Sequence, residues 1–181
     1  MRYSIYILSV FTLLFSSFTA ANCNSLLDYE TRKLRSTEAV NLCEAYQGKV
    51  IVMVNTASQC GYTPQFKSLE QLHQRYKDQG LVVLGFPSND FRQEHSDESK
   101  TADVCYINYG VTFQMLTTSS VTGGNANPVF KKLAQQTGEE PSWNFNKYVV
   151  GKDGKAIKAF PSRELPIGGE LEKTVIEALG I

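Results

Sequence analysis

The chain has 181 residues, and its 18 basic and 18 acidic side chains leave no formal net charge. This balance gives no indication of nucleic acid or of a strongly acidic surface as a partner. No internal repeat, low-complexity tract or interdomain linker interrupts the sequence, and its length suits a single domain with a substantial core.

The N-terminus has the pattern of a secretory signal peptide, which we assign to residues 1–21. Arg2 precedes an apolar stretch over residues 5–18, and small residues follow as a cleavage site requires. The apolar stretch is shorter than the roughly 20 residues that span a bilayer, which argues against an uncleaved anchor. We therefore expect cleavage after Ala20 or Ala21.

This pattern predicts that the protein is exported, either to the periplasm or as a secreted protein. We expect no stable membrane insertion after the signal peptide is cleaved. Lipid modification at Cys23 is an alternative form of processing. Residues 22–181 then form the single domain, beginning with an arm in which residues 29–34 are predicted to be extended.

A cysteine on a strand-to-helix turn is the central feature of the sequence. The apolar, β-branched run at residues 50–54 predicts a strand that is buried on both faces. Beyond the turn, apolar residues spaced by three or four predict one face of a helix: Phe66, Leu69, Leu72 and Tyr76. Cys60 lies between them, where unpaired N–H groups and the helix dipole favour a thiolate. We interpret Cys60 as the reactive residue; the alternative is a small buried side chain.

The next segments extend the α/β pattern. Gly80 ends the helix, and residues 81–86 predict a second buried strand, parallel to the first because a right-handed crossover joins them. A polar loop at residues 87–94 precedes a second helix at residues 96–109. Four residues of that helix are expected to face inward: Ala102, Cys105, Ile107 and Tyr109.

The C-terminal part completes the layout. Residues 111–126 are predicted to be irregular, and Asn127 with Pro128 begins a further helix. Residues 143–160 predict a β-hairpin around an Asp-Gly turn, and residues 169–179 the closing helix. A parallel pair followed by an antiparallel hairpin indicates an α/β protein of thioredoxin-like fold, with a central mixed sheet flanked by helices.

The sequence has four cysteines: Cys23, Cys43, Cys60 and Cys105. In an exported chain an even number is compatible with a structural disulfide. Three pairings exist, and the spacing does not choose among them.

Four motifs together resemble the cysteine-containing glutathione peroxidases. They are Asn-Thr-Ala-Ser-Gln-Cys-Gly-Tyr-Thr at residues 55–63, Phe-Pro-Ser-Asn-Asp-Phe with Gln-Glu within residues 86–94, Asn-Tyr-Gly-Val-Thr-Phe at residues 108–113, and Trp-Asn-Phe at residues 143–145. They occur in the family's order and at similar spacing, from about residue 28 to the C-terminus.

This resemblance implies a peroxidase that reduces hydrogen peroxide or organic hydroperoxides. Cys60 would be the peroxidatic residue, and Gln93, Trp143 and Asn144 would complete a catalytic tetrad. Attack of a thiolate on a peroxide oxygen gives a sulfenic acid and an oxyanion leaving group. The two amides and the indole N–H are uncharged donors that suit such a site.

The resemblance also implies how the enzyme is recycled. Cys105 occupies the place of the resolving cysteine, which would condense with the Cys60 sulfenic acid and then be released by an external thiol or dithiol. If Cys60 and Cys105 work together, the remaining pair is Cys23 with Cys43. We hypothesise that this pair ties the N-terminal arm to the body of the protein.

Cofactors and partners follow from the same resemblance. No prosthetic group is implied, no metal-ligand spacing occurs, and the co-substrate would be glutathione or a thioredoxin-like protein. No cluster of basic residues for glutathione stands out, although Arg163 or nearby lysines could serve. The insertion that tetrameric relatives carry before Trp143 is absent, which implies a monomer.

The sequence departs from the family pattern at several positions. Ser88 stands where cysteine is common, the following loop is one residue shorter before Gln93, and Gln114 replaces a common proline. The alternative function is an exported thioredoxin-like module for thiol–disulfide exchange or for binding, without peroxidase activity. An exchanger normally has a Cys-x-x-Cys pair, whereas Gly61, Tyr62 and Thr63 follow Cys60.

Overall fold

A five-stranded mixed β-sheet forms the centre of the protein. The computed structural model describes residues 26–181. The elements in chain order are β1 (Glu30–Arg32), β2 (Ala39–Asn41), α1 (Leu42–Tyr46), β3 (Val50–Thr56), α2 (Gln65–Tyr76), β4 (Leu81–Pro87), α3 (Glu98–Ala102), β5 (Gln114–Met115), α4 (Pro128–Thr137), β6 (Lys147–Val150), β7 (Ala156–Phe160) and α5 (Glu170–Leu179).

The order of the strands confirms the predicted thioredoxin-like layout. The central sheet has the order β5-β4-β3-β6-β7, with β3 and β4 parallel and β6 antiparallel to β3. The hairpin of β6 and β7 forms one edge. The other edge, β5, comes from a segment that was expected to be irregular, and it pairs with β4.

Helices cover both faces of the sheet, so β3 is buried on both sides as predicted. Val50, Val52 and Val54 belong to the core that packs against α2 and α5. Ile51 and Met53 belong to the opposite core, which contains side chains from α1 and α4. This alternation follows from the two-residue period of a strand, and it makes β3 the common wall of the two cores.

The second predicted helix is correct in position but not in form. It divides into α3 and a π-helical segment at Asp103–Asn108, which Gly110 follows in the left-handed conformation. Ala102 and Cys105 are buried as expected, but Ile107 is 72% exposed. The wider π turn shifts the phase of the side chains relative to a regular α-helix, so the 3.6-residue period does not apply there.

The predicted signal peptide lies outside the described residues. Within residues 26–181, none of the helices is long and apolar enough to cross a bilayer. The arm that follows forms a small antiparallel pair of β1 and β2, and Lys33 bridges to Leu116 of the body.

A buried lysine lies beside the sheet in β6. Lys147 is fully buried, and its ammonium group donates to the carbonyl oxygens of Ser162 and Glu164, at 2.9 and 2.8 Å. Burial lowers the pKa of Lys147 to about 7, with the charge of Glu164 acting in the opposite direction. The side chain therefore ties the segment after β7 to the sheet.

We expect this lysine to make the stability of the protein depend on pH. In the unfolded chain Lys147 keeps its proton up to about pH 10.4, so between pH 7 and 10 the unfolded state binds more protons and the free energy of unfolding rises with pH. Relative to Lys147→Met, the wild type should gain about 2 kcal/mol between pH 7 and 9. Urea unfolding at both pH values measures this; parallel pH profiles of the two proteins would contradict it.

Candidate active site

Cys60 lies within a series of tight turns that lead from β3 into α2. It is 7% exposed, and the N–H of Tyr62 points to its sulfur at 3.4 Å. Thr63 holds the turn, because its hydroxyl accepts from the Cys60 N–H and donates to the carbonyl of Ala57. The sulfur is thus presented by a rigid turn, several residues before α2 begins.

The loop after β4 brings Gln93 to the same turn. Its backbone carbonyl accepts from the N–H of Gln59 at 2.9 Å, next to Cys60 in the chain. Its side-chain oxygen accepts from the amide nitrogen of Asn144 at 2.9 Å. Two of the predicted site residues are therefore in direct contact, although they come from distant parts of the sequence.

Asp90 anchors this loop to the neighbouring segment. Its carboxylate accepts from the hydroxyl of Ser120 at 2.7 Å and from the N–H groups of Val121 and Thr122 at 2.6 and 3.0 Å. Within this loop, Arg92 takes a left-handed conformation immediately before Gln93. Asp90 has no role in the predicted tetrad, but it determines where the loop lies.

Trp143 and Asn144 differ in exposure. Asn144 is fully buried, and its side-chain oxygen has no hydrogen-bond partner among residues 26–181. The ring of Trp143 is 41% exposed and packs against Phe91, with the centroids 5.4 Å apart. Asn144 thus retains an acceptor inside the site, while the neighbouring indole reaches the surface.

A pocket of about 340 Å³ opens beside Trp143. Its lining combines aromatic, hydroxyl and positively charged groups, from Tyr62, Ser142, Trp143, Pro161, Ser162 and Arg163. Two chain segments meet in the wall of this pocket. One is the turn after Cys60, which contributes Tyr62, and the other is the segment held by Lys147, which contributes Ser162 and Arg163. The pocket is a concave surface of the size of a small-molecule site.

Asn55 connects Trp143 and Asn144 to the end of β3. Its amide nitrogen donates to the carbonyl of Trp143 at 3.0 Å, and its side-chain oxygen accepts from the N–H of Asn146 at 3.0 Å. The backbone of Asn55 makes two further bonds, from the Phe145 N–H at 2.7 Å and to the Asn146 carbonyl at 3.3 Å. Residues 143–146 are therefore held directly on the strand that leads to Cys60.

Asn55 begins the motif at residues 55–63, but no individual role was predicted for it. One signal was available: Asn55 is a polar residue at the end of a strand that is otherwise apolar, and it is fully buried. A buried side-chain amide needs partners for its donors and its acceptor, and a neighbouring segment is the usual source.

Cys105 lies in the π-helical segment and is 1% exposed. Cys60 and Cys105 are both free thiols. Burial raises the pKa of Cys105 to about 12, and the charge of Glu94 contributes to the increase. The resting structure thus keeps Cys105 as a protonated, inaccessible thiol.

The remaining predicted residues have different outcomes. Cys43 is buried at the beginning of α1, but Cys23 lies outside the described residues, so their pairing stays a prediction. Arg163 lines the pocket beside Trp143. In residues 26–181 no cluster of His, Cys, Asp and Glu has the arrangement of a metal site.

Comparison with known proteins gives consistent matches. The sequence model of the Glutathione peroxidase family matches residues 26–134, which is more than half of the chain. The chain is 46% identical over 136 residues to the glutathione peroxidase-like peroxiredoxin GPX5 of Chlamydomonas reinhardtii, covering 71% of this chain and 84% of the relative. It is 39% identical over 157 residues to a glutathione peroxidase of Lactococcus lactis, covering 84% and 98%.

A solved structure extends the likeness to three dimensions. The crystal structure of Trgpx in its apo form superposes with a TM-score of 0.69 at 32% identity, covering 87% of this chain and 97% of that one. The described fold, the free cysteine on the turn after β3 and these matches agree with one another. The chain belongs to the glutathione peroxidase family, and it is a thiol-dependent peroxidase.

Proposed function

We propose that the protein reduces hydrogen peroxide or organic hydroperoxides through Cys60. The Cys60 thiolate attacks one peroxide oxygen, the O–O bond breaks, and the products are a Cys60 sulfenic acid and an alcohol or water. The leaving oxyanion takes up the proton that the thiol gave up. The observation that carries this assignment is the bond from the N–H of Gln59, the residue before Cys60, to the carbonyl of Gln93, whose side chain is hydrogen-bonded to Asn144.

The roles of the three other site residues follow from their chemistry. Gln93, Trp143 and Asn144 offer uncharged N–H donors, which stabilise charge on sulfur and on the departing oxygen without neutralising it permanently. The Tyr62 N–H already points to the sulfur. The unpartnered oxygen of Asn144 is an acceptor for a proton on the incoming peroxide.

Substitution of the nucleophile tests this assignment. Cys60→Ser should lower the second-order rate of reaction with peroxide by at least about a thousandfold, because a neutral hydroxyl is a poor nucleophile. Stopped-flow measurement on the reduced proteins tests this. Cys105→Ser serves as the control, since it removes the other free thiol and should keep the wild-type rate. Equal rates for Cys60→Ser and wild type would end the peroxidase assignment of Cys60.

Cys105 is proposed to resolve the sulfenic acid. Its thiol would displace hydroxide from Cys60, forming an S–S bond, breaking the S–O bond and releasing water. The two cysteines belong to the same core, which supports an internal disulfide. Cys105 is buried in the resting structure, so the segment around it has to open before the bond forms.

A second variant tests this recycling step. Cys105→Ser should leave the first peroxide turnover unchanged but abolish turnover that is driven by a dithiol, because the intramolecular disulfide cannot form. Peroxide consumption with a thioredoxin-like reductant measures the cycling. Mutant cycling at the wild-type rate would show that Cys105 is not the resolving residue.

Because Asn55 holds residues 143–146 in place, we expect its substitution to slow the reaction with peroxide. Asn55→Ala removes two buried hydrogen bonds, each worth about 1–3 kcal/mol when a partner is left unsatisfied. The freed segment would displace Trp143 and Asn144, so the peroxide step should slow by about tenfold to a hundredfold.

Asn127→Ala is the matched control. Asn127 is also a buried asparagine with two side-chain hydrogen bonds, to the Phe130 N–H and the Ser119 hydroxyl, but it caps α4. The control should lose stability without a matching loss of the peroxide rate. Equal slowing in both variants would mean that Asn55 acts only through general stability.

The alternative of a thiol–disulfide exchange module has less support. Exchangers carry a second cysteine three residues after the first, and Thr63 occupies that position here. Its hydroxyl is already engaged with Cys60 N–H and Ala57 carbonyl and holds the turn. A binding module would also have no need of the contact between Gln93 and Asn144.

The co-substrate is proposed to be an external thiol such as glutathione or a thioredoxin-like protein, without a prosthetic group. The pocket beside Trp143 supports this, because Arg163 adds a positive charge to a concave wall that a thiol carrying a carboxylate would complement. The absence of the insertion before Trp143 supports a monomer.

Export is proposed from the signal-like N-terminus. The mature protein should begin after Ala20 or Ala21, with a Cys23–Cys43 disulfide tying the arm to α1. The free state of Cys60 and Cys105 leaves these two cysteines for such a bond. Intact-mass measurement of the secreted protein should give the mass of residues 21–181 or 22–181, reduced by two hydrogens. A mass that includes the leader, or a lipid on Cys23, would contradict this form of processing.

A further inference from the structure

Glu94 is a buried carboxylate directly after Gln93. It is 7% exposed, and none of the ion pairs in residues 26–181 involves it. One carboxylate oxygen accepts from the His95 N–H at 2.8 Å and from the hydroxyl of Thr101 at 2.9 Å. The other oxygen is buried and has no hydrogen-bond partner in the described part of the chain. Burying a carboxylate that has no ion pair and one unpartnered oxygen costs free energy, so the presence of Glu94 at this position needs an explanation.

The bond to Thr101 joins the site loop to the helix that carries Cys105. Thr101 is fully buried in α3, and Cys105, four residues further along the chain in the π-helical segment, is also buried. The regular helix gives way to the π-helical segment just after Thr101. The Glu94–Thr101 contact therefore lies at the boundary of the segment that must open for Cys105 to react.

The carboxylate also acts on the thiol through its charge. After burial, the charge of Glu94 is the second cause of the raised pKa of Cys105. Near Glu94 the thiol stays protonated, so it is a poor nucleophile and a poor target for peroxide. If Cys105 moved away from Glu94 and into water, both causes of its raised pKa would be removed.

We infer that Glu94 is a positioning residue that latches the Cys105 helix in its resting form through Thr101, and that release of this latch precedes disulfide formation. This inference rests on the proposed resolving role of Cys105. In the step that follows release, the Cys105 thiol loses its proton, its sulfur displaces hydroxide from the Cys60 sulfenic acid, and the hydroxide takes up the proton as water. The latch sets the order of the two reactions: Cys60 reacts with peroxide first, and Cys105 becomes reactive afterwards.

Thr101→Val tests the latch without changing Glu94, Gln93 or either cysteine. The valine has nearly the same shape but no hydroxyl, so only the bond to the carboxylate is lost. The reduced protein is mixed with one equivalent of peroxide, quenched with a thiol-alkylating reagent at successive times, and the Cys60–Cys105 disulfide is quantified by mass spectrometry. We expect disulfide formation to accelerate about tenfold, with the peroxide step unchanged.

Thr101→Ser is the matched control, because serine keeps the hydroxyl and should restore the wild-type rate. A residue with only a structural role would slow both steps or neither, whereas the latch predicts acceleration of one step alone. A disulfide rate in Thr101→Val at or below the wild-type value overturns the latch. If the wild type forms no Cys60–Cys105 disulfide, the resolving role fails and the latch with it; formation at equal rates in both proteins overturns the latch alone.

Glu94→Met provides a second measurement, because it removes both the charge and the acceptor of the Thr101 hydroxyl, and it decides the matter if Thr101→Val does not fold. In a Cys60→Ser background, the rate of Cys105 alkylation at pH 8 reports the thiolate fraction and the access to it. Removal of the negative charge should raise this rate by at least about threefold. An unchanged or lower rate would show that Glu94 does not restrain Cys105.

Discussion

The hydrogen bonds between Asn55 and residues 143–146 are the constraint on which the site depends. They join the end of the buried strand β3 to the segment that leads into β6, and Asn55 supplies both its backbone and its side chain. Phe145 takes a left-handed conformation there, with φ at 61°, which a phenylalanine adopts only when its surroundings hold it. The same contacts that hold this backbone place Trp143 and Asn144 beside the loop of Gln93.

A second constraint determines where that loop lies. Asp90 binds three groups of the segment at residues 120–122, and the carbonyl of Gln93 accepts from Gln59 beside the reactive cysteine. The site is thus assembled from three chain segments, each held by hydrogen bonds of backbone groups and of short side chains such as Asp90 and Asn55. Such an arrangement keeps the donors oriented before peroxide arrives, which is what electrostatic stabilisation of a developing charge requires.

Uncharged groups make the hydrogen bonds that surround Cys60 and join Gln93 to Asn144. The immediate partners of the site are amides, hydroxyls and backbone N–H groups, while the buried charged groups have supporting roles. Lys147 holds the segment that forms one wall of the pocket, and Glu94 holds the helix that carries Cys105. A buried charge strengthens the contacts it makes because the local dielectric is low, and it destabilises its surroundings when those contacts are lost. This makes such groups suitable for segments that have to be held in one state and released in another.

The sequence by itself determined the order of the elements, the parallel pair, the hairpin and the buried strand before Cys60, because these depend on local periodicity and turn chemistry. It also indicated the family, since the motifs lie in a characteristic order. The contact between Gln93 and Asn144, the bonds of Asn55 and the link from Glu94 to Thr101 required the tertiary structure, because each joins segments that are distant in sequence or separated by an irregular loop. The π-helical turn at Cys105 was also beyond the sequence, because it breaks the regular helical period on which the prediction rested.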